Sequence, residues 1–288
     1  MNMGRAQTMA PGFAHTLLSA RGVKERLAAY GIKPNKALGQ NFLIDRAARD
    51  MMAQSVPQGM PVYEVGPGLG AFTEALADGG RRVFALEKDA GMARLLKDTL
   101  TAEGLEIAHG DALKYPLREV YMRFGQKPFY VAGNLPYYIT SNFCMRVLAS
   151  RLPVKGMTLL LQQEAAARFF AGPGCREYGP LAVLTACAYK AGRLFALGPE
   201  SFYPGPKVQS AAITLYGDAA HVPPDLPRFL AGAFAMRRKT LCNNLFAMGY
   251  GREAVYAALG RTGLKTDIRA DAMDAAALIT LFETLGGV

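Results

Sequence analysis

One stretch limits the folds open to this chain more than any other. Val62-Tyr63-Glu64-Val65 reads as a short strand, Gly66-Pro67-Gly68-Leu69-Gly70 as a tight turn, and Ala71–Ala77 as the start of a helix. Glycines in such a turn let the backbone approach a ligand without a Cβ in the way. The strand, glycine-rich turn and helix together form the entry unit of nucleotide-binding α/β folds. The alternation then continues. Arg82–Leu86 reads as a strand, Ala90–Thr101 as a helix with Met92, Leu95, Leu96 and Leu100 on one side, and Leu105–Ala108 as a third strand. Phe129–Ala132 and Gly156–Leu161 follow as strands four and five. Strand–helix alternation with short turns predicts an α/β chain whose mostly parallel, Rossmann-like sheet is covered on both faces.

The glycine pattern leaves the ligand open, because Gly66-x-Gly68-x-Gly70-Ala71 also fits the dinucleotide fingerprint. Glu87 ends the second strand 21 residues past Gly66, where a carboxylate accepts hydrogen bonds from ribose hydroxyls. Asp111, in Gly110-Asp111-Ala112, stands where a strand-end acid meets an adenine amino group. Three features favour a methyl donor over a nicotinamide. Glu64 stands two residues before the first glycine. The turn leads into no donor-rich helix start. Gly133-Asn134-Leu135-Pro136-Tyr137, at the end of the fourth strand, has no role in hydride transfer.

That last stretch suggests a chemistry. The amino group of adenine is a poor nucleophile, because its lone pair is delocalised into the ring. Acceptors at the Asn134 side-chain oxygen and the Leu135 carbonyl, aimed at its hydrogens, favour a pyramidal nitrogen with the pair freed. Pro136 fixes the turn and Tyr137 stacks on the ring. With a methyl group already activated on a sulfonium, positioning and dipoles suffice and no strong base is needed. The plainer reading is a strand-to-helix turn in which Asn caps and Tyr fills a gap. Thr140-Ser141 are expected to cap a helix over Asn142–Ala149.

Lys and Arg number 33 against 23 Asp and Glu, a net charge of +10, which points to a polyanionic partner such as nucleic acid. Arg237-Arg238-Lys239 is the most basic patch, either a solvated face or a set of phosphate contacts. Phe202 is either core or a second stacking wall. Cys144, Cys175, Cys187 and Cys242 have no metal or redox spacing and read as free thiols in a reducing cytoplasm. His15, His109 and His221 are scattered, and no metal site is expected. No apolar run is long enough to span a membrane, and no signal peptide is expected. Residues 1–20 read as an irregular tail, and Arg21–Tyr30 as a helix. Asp45 is expected to cap a helix over Arg46–Ser55, and 217–227 reads as a linker to a helical C-terminal part.

These motifs, taken together, resemble the ribosomal RNA adenine dimethyltransferases. Gly39-Gln40-Asn41-Phe42-Leu43, Glu64 through Gly70, Glu87, Gly110-Asp111-Ala112 and Gly133 through Tyr137 occur in that family's order and spacing. So do Phe202 through Ser210 and Arg237 through Leu245. The last two stretches look more like the KsgA-type small-subunit enzymes than the macrolide-resistance enzymes that modify large-subunit RNA. The resemblance implies S-adenosylmethionine as donor. Its substrate would be two adjacent adenosines near the 3′ end of small-subunit rRNA, each methylated twice on N6. It implies Asn41, Leu43, Gly66, Gly68, Glu87, Asp111, Ala112 and Asn134 as donor-binding residues, and Asn134, Leu135, Pro136 and Tyr137 as the target pocket. Lys33, Lys36, Phe202, Lys207, Arg237, Arg238 and Lys239 are the expected RNA contacts. The expected organisation is a tail and leading helix over 1–30, a methyltransferase domain over 31–217 and a helical RNA-contacting domain over 218–288. A cytoplasmic monomer acting on the small ribosomal subunit is expected. The alternatives are a resistance-type large-subunit enzyme and a non-catalytic RNA-binding assembly factor. The chain departs from the family pattern at Ala37-Leu38, Gly205, Gln209 and Cys242, where lost charge at 37 and 242 bears on RNA contact.

Overall fold

A computed structural model describes residues 14–35, 38–136 and 138–286. In chain order the elements are α1 (Ala20–Ala29), β1 (Phe42–Leu43), α2 (Arg46–Ser55), β2 (Val62–Val65), α3 (Ala71–Asp78), β3 (Val83–Glu87), α4 (Ala90–Thr99) and β4 (Leu105–His109). They continue with α5 (Leu117–Arg123), β5 (Phe129–Asn134), α6 (Thr140–Leu148), β6 (Val154–Gln162), α7 (Gln163–Ala167), α8 (Pro180–Ala188) and β7 (Tyr189–Leu197). The last are β8 (Phe202–Tyr203), β9 (Ser210–Gly217), α9 (Leu226–Ala233), α10 (Leu241–Ala247), α11 (Arg252–Thr262) and α12 (Ala275–Thr284).

The main sheet has the order β4-β3-β2-β5-β6-β9-β7. Neighbours from β4 through β6 run parallel, and β9 is antiparallel to both β6 and β7. From β2 the chain winds outward through β3 and β4, then returns to add β5 on the other side. The β2/β5 boundary is therefore the switch point, where an open α/β sheet leaves a crevice at the carboxyl ends of its strands. Period-two alternation sorts the side chains between the two faces. Tyr63, Val65, Phe84, Phe129 and Val131 pack toward α5 and α6, in a buried cluster that runs on into α8 and the C-terminal helices. Val62, Val83, Ala85, Tyr130 and Ala132 pack toward α2 and α3. β1 and β8 form a separate antiparallel pair.

Several local expectations need correction. Thr140 and Ser141 do not cap α6, which starts at Thr140 and has no side-chain cap. The Thr140 hydroxyl donates back to the Pro136 carbonyl at 3.2 Å, and the Ser141 hydroxyl accepts from Arg168. Of the irregular tail expected over 1–20, residues 14–19 do lie outside helix and strand, but they are packed against the fold. Leu17 packs with Val23, Phe42 and Leu69, and Glu25 accepts from the backbone N–H groups of Ala14 and His15. Residues 1–13 of that expectation lie outside the described residues. The stretch after β9 is packed as well. Asp218 pairs with Lys155, and Ala219 and Val222 are buried. α5 was not foreseen, because seven residues give too little periodicity to separate a helix from a loop. Asp45 does cap α2, accepting from Ala48 N at 3.0 Å. Among the described residues, no helix is long and apolar enough to cross a membrane.

Candidate active site

The crevice opens over the ends of β2, β3 and β5, and the turn after β2 shapes it. Gly66, Gly68 and Gly70 all take positive φ, at 68°, 60° and 90°, a region costly for residues with a Cβ. Space is short too. A Cβ on Gly68 would stand 3.2 Å from the Phe42 ring, and one on Gly70 would stand 2.3 Å from Leu100.

Glu87, at the end of β3, is 6% exposed. Its two oxygens accept separately, from Gly68 N at 3.0 Å and Asp89 N at 2.9 Å. Burial pushes its carboxyl up, against the pull of those N–H groups. Each carboxylate oxygen can accept more than one hydrogen bond, so both remain able to meet a pair of hydroxyls. The carboxylate thus also ties the glycine turn to the next strand.

Asp111, in the turn after β4, accepts from Leu113 N at 2.9 Å and pairs with Lys88 at 3.0 Å. Burial works to raise its pKa, but the Lys88 and Leu113 contacts outweigh it and hold the carboxyl below its ordinary value. The Lys88 ammonium also lies 5.3 Å from the centre of the Tyr138 ring. Lys88 was not foreseen as a site residue, since a lysine after the strand-end acid has no pattern of its own.

Asn134 ends β5. Its Nδ2 donates to the Asn41 carbonyl at 3.0 Å, while Asn41 Nδ2 donates to the Gly39 carbonyl at 3.1 Å. Its Oδ1 takes no hydrogen bond from any described residue. Leu135 is buried, with its N–H held by Leu160 O at 3.1 Å. Pro136 sits between the Gly39 and Gly66 turns. Asn41, Leu43, Gly66, Gly68, Glu87, Asp111, Ala112, Asn134, Leu135 and Pro136 therefore line one cleft, with Phe202 at 5% exposure in its wall. Tyr137 and Lys36 lie outside the described residues.

The remaining candidates sit apart from this cleft. Lys33 and Lys207 are exposed and line none of it. Arg237, Arg238 and Lys239 are exposed on the turn between α9 and α10. Arg237 donates to the carbonyls of Arg176 and Cys175 at 2.6 and 3.2 Å, so part of that patch holds a loop in place.

Sequence reasoning took Glu64 as a mark of a methyl-donor enzyme but gave it no place among the site residues. Glu64 is 1% exposed, lines the cleft, and has an oxygen, Oε2, with no hydrogen-bond partner. Burial pushes its carboxyl up to about 8, against the pull of the neighbouring Thr73 hydroxyl and with the charge of Glu87 adding to it. Leu17 and Val23 of the N-terminal segment line the cleft too, a contact no local pattern signals. The cleft suits the donor on three grounds. Cβ-free turns allow close approach, carboxylates stand at the ends of β3 and β4 where open α/β sheets hold ligands, and one oxygen of the buried Glu64 lacks a hydrogen-bond partner that a ligand could supply.

The fold and cleft define an S-adenosylmethionine-dependent methyltransferase of the Rossmann-like type. A family model described as ribosomal RNA adenine dimethylase matches residues 31–286, and the chain belongs to that family. The ribosomal RNA small subunit methyltransferase A of Deinococcus radiodurans is 37% identical over 276 residues, covering 94% of this chain and 92% of that protein. That of Geobacter sulfurreducens is 37% identical over 254 residues, covering 84% and 92%. Among solved structures, a dimethyladenosine transferase from Plasmodium falciparum superposes with a TM-score of 0.70 at 21% identity, over 85% of this chain and 98% of its own. The 23S rRNA methyltransferase ErmE does so with a TM-score of 0.61 at 26% identity, over 85% and 100%.

Proposed function

We propose that the chain transfers methyl groups from S-adenosylmethionine to N6 of two adjacent adenosines near the 3′ end of small-subunit rRNA, giving N6,N6-dimethyladenosines. One observation carries the chemistry: the Asn134 amide, in the cleft lining, is held through its nitrogen, and its oxygen takes no hydrogen bond from any described residue. The donor supplies a methyl group already activated on sulfur. The chain then has to orient an amine and exclude water. Asn134 Oδ1 and the Leu135 carbonyl accept from N6 and direct its lone pair along the line of transfer. Pro136 fixes their relation, and Tyr137 covers the base. Glu87 holds the ribose and Asp111 the adenine of the donor, with Asn41, Leu43, Gly66, Gly68 and Ala112 forming its walls.

Small-subunit RNA is favoured over large-subunit RNA by similarity. Identity to small-subunit relatives reaches 37% over nearly the whole chain, against 26% to ErmE. Residues 218–288 act as the helical RNA-contacting part behind a methyltransferase domain over 31–217. Lys33, Lys36, Lys207, Arg237, Arg238 and Lys239 meet phosphates, in keeping with a net charge of +10, and Phe202 backs the base. The chain works as a monomer in the cytoplasm, on the assembling small subunit. Incubation with labelled donor and either undermethylated small subunits or large subunits tests this reading. Label is expected in small-subunit RNA, and label confined to large-subunit RNA would reassign the substrate.

A further inference from the structure

At the end of the cleft over β3 and β4, one ammonium group meets both an acid and an aromatic ring. Lys88 follows Glu87 at the end of β3, and its Nζ stands 3.0 Å from Asp111 Oδ2. The same Nζ lies 5.3 Å from the centre of the Tyr138 ring, inside the roughly 6 Å reach of a cation–π contact. Asp111 comes from the turn after β4 and Tyr138 from the turn after β5, so one cation links three strand ends. All three residues line the cleft, and a ligand can reach them. The Lys88 and Asp111 side chains are 41% and 20% exposed, and Tyr138 is 46% exposed. A ring so open beside a concave site is apolar surface without a cover.

The loop that carries Asp111 is held without Lys88. Arg146, on α6, donates to the carbonyls of Ala112 and Tyr115 at 2.6 and 2.7 Å. The Asp111 carbonyl accepts from the N–H groups of Lys114 and Tyr115, both at 2.8 Å, and its Oδ1 accepts from Leu113 N at 2.9 Å. With the backbone and one oxygen fixed in this way, Lys88 acts on the other oxygen. It favours the charged carboxylate, which only accepts, and fixes its plane. Oδ2 keeps a further lone pair to offer an amino group. An acceptor-only group at this place favours adenine over a base that carries a carbonyl at the same position.

We propose that Lys88 and Tyr138 complete the adenine end of the donor site, Lys88 by positioning Asp111 to accept from the adenine amino group and Tyr138 by covering the base with its ring. The inference rests on the reading of Asp111 as the residue that holds the donor's adenine. Lys88 acts through its two neighbours and is a positioning residue, whereas Tyr138 touches the base. Tyr138 also lies two residues past Pro136. The cover of the donor and the pocket for the target amine therefore belong to one short segment of chain.

S-adenosylhomocysteine serves as the probe, titrated by calorimetry into the full chain and its variants. Tyr138→Ala is expected to weaken binding roughly tenfold, the loss of one stacked base, while Tyr138→Phe keeps the ring and stays within about twofold of wild type. Lys88→Met keeps the stem without the charge and is expected to weaken binding roughly fivefold, the worth of about one hydrogen bond. Lys88→Arg can pair with the carboxylate and lie against the ring, so it should restore most of that loss. Because one ammonium serves both partners, Lys88→Met combined with Tyr138→Ala should weaken binding by well under the product of the two single effects. Both side chains are exposed, so the variants leave the core intact. An unaltered Kd in Lys88→Met and Tyr138→Ala overturns the proposal. So does a Tyr138→Ala effect confined to KM for small subunits, which would assign the ring to RNA. Lys88→Arg binding as weakly as Lys88→Met, or effects that multiply in full, would likewise overturn the role given to the ammonium. Asp111→Ala tests the reading beneath. If it alone weakens binding, only the proposal fails; if it binds like wild type, the reading of Asp111 fails.

Discussion

Asn134 at the end of β5 and Asn41 beside β1 are 93 residues apart in the chain, yet the amide of one donates to the carbonyl of the other at 3.0 Å. That bond holds the Asn134 side chain by its nitrogen, while its oxygen takes no hydrogen bond from any described residue. Removing the amide deletes an acceptor used most in the transition state. Asn134→Ala is expected to lower kcat by roughly 10²- to 10³-fold, as loss of a transition-state hydrogen-bonding group does. RNA affinity should stay within about twofold of wild type. Single-turnover methylation beside an RNA-binding titration checks this, and an unchanged kcat would remove Asn134 from the chemistry.

Gly133 precedes it for a reason of space. A Cβ there would stand 2.4 Å from the Val65 carbonyl oxygen, a backbone atom of β2. Neither strand can give way without shifting the ladder at the switch point. Gly133→Ala is therefore expected to destabilise the fold by about 1–3 kcal/mol, the cost of overpacking a tight site. Urea denaturation measures it. Stability equal to wild type would mean that β2 and β5 separate more easily than their packing implies.

What the sequence disclosed follows physical lines. β2, α2 and its Asp45 cap, and the alternation that makes the sheet, are local patterns of burial and capping, and they match residue for residue or within a few positions. The cleft was legible because its parts sit at strand ends, at Gly66, Glu87, Asp111 and Asn134. The misses are non-local. That Lys88 holds Asp111, that Leu17 and Val23 close over the cleft, and that Thr140 turns back to Pro136 depend on contacts no window of sequence contains. The depth of Glu64 was likewise hidden, because an acid in a four-residue strand has no signature of being sealed on both faces.

The basic patch divides into two kinds of residue. Arg237 is engaged with the carbonyls of Arg176 and Cys175, whereas Arg238 and Lys239 are exposed. Replacing Arg238 and Lys239 together with Ala is expected to reduce the slope of log affinity for RNA against log salt by about 1.5, the release of two counterion equivalents. Arg237→Ala should in addition speed amide exchange across residues 172–178. An unaltered salt slope in the double variant would assign the exposed pair to solvation alone.

Glu64 gives the chain a pH dependence with a definite sign. Its carboxyl titrates near 8 in the fold, against 4.5 as its ordinary value. Between those limits the folded chain keeps a proton that the unfolded chain has released, so stability falls as pH rises across that window and the loss is complete above it. The slope from this one group is at most about 1.4 kcal/mol per pH unit. Glu64→Gln is neutral throughout and of similar shape. The variant should gain on wild type steadily from pH 5 to pH 8 in urea unfolding, while curves that stay parallel would show that Glu64 is ionised in the fold. A cation in the cleft favours the carboxylate. Wild-type affinity for S-adenosylmethionine is thus expected to tighten as pH rises toward 8, a dependence that Glu64→Gln should lose in the same calorimetric titration.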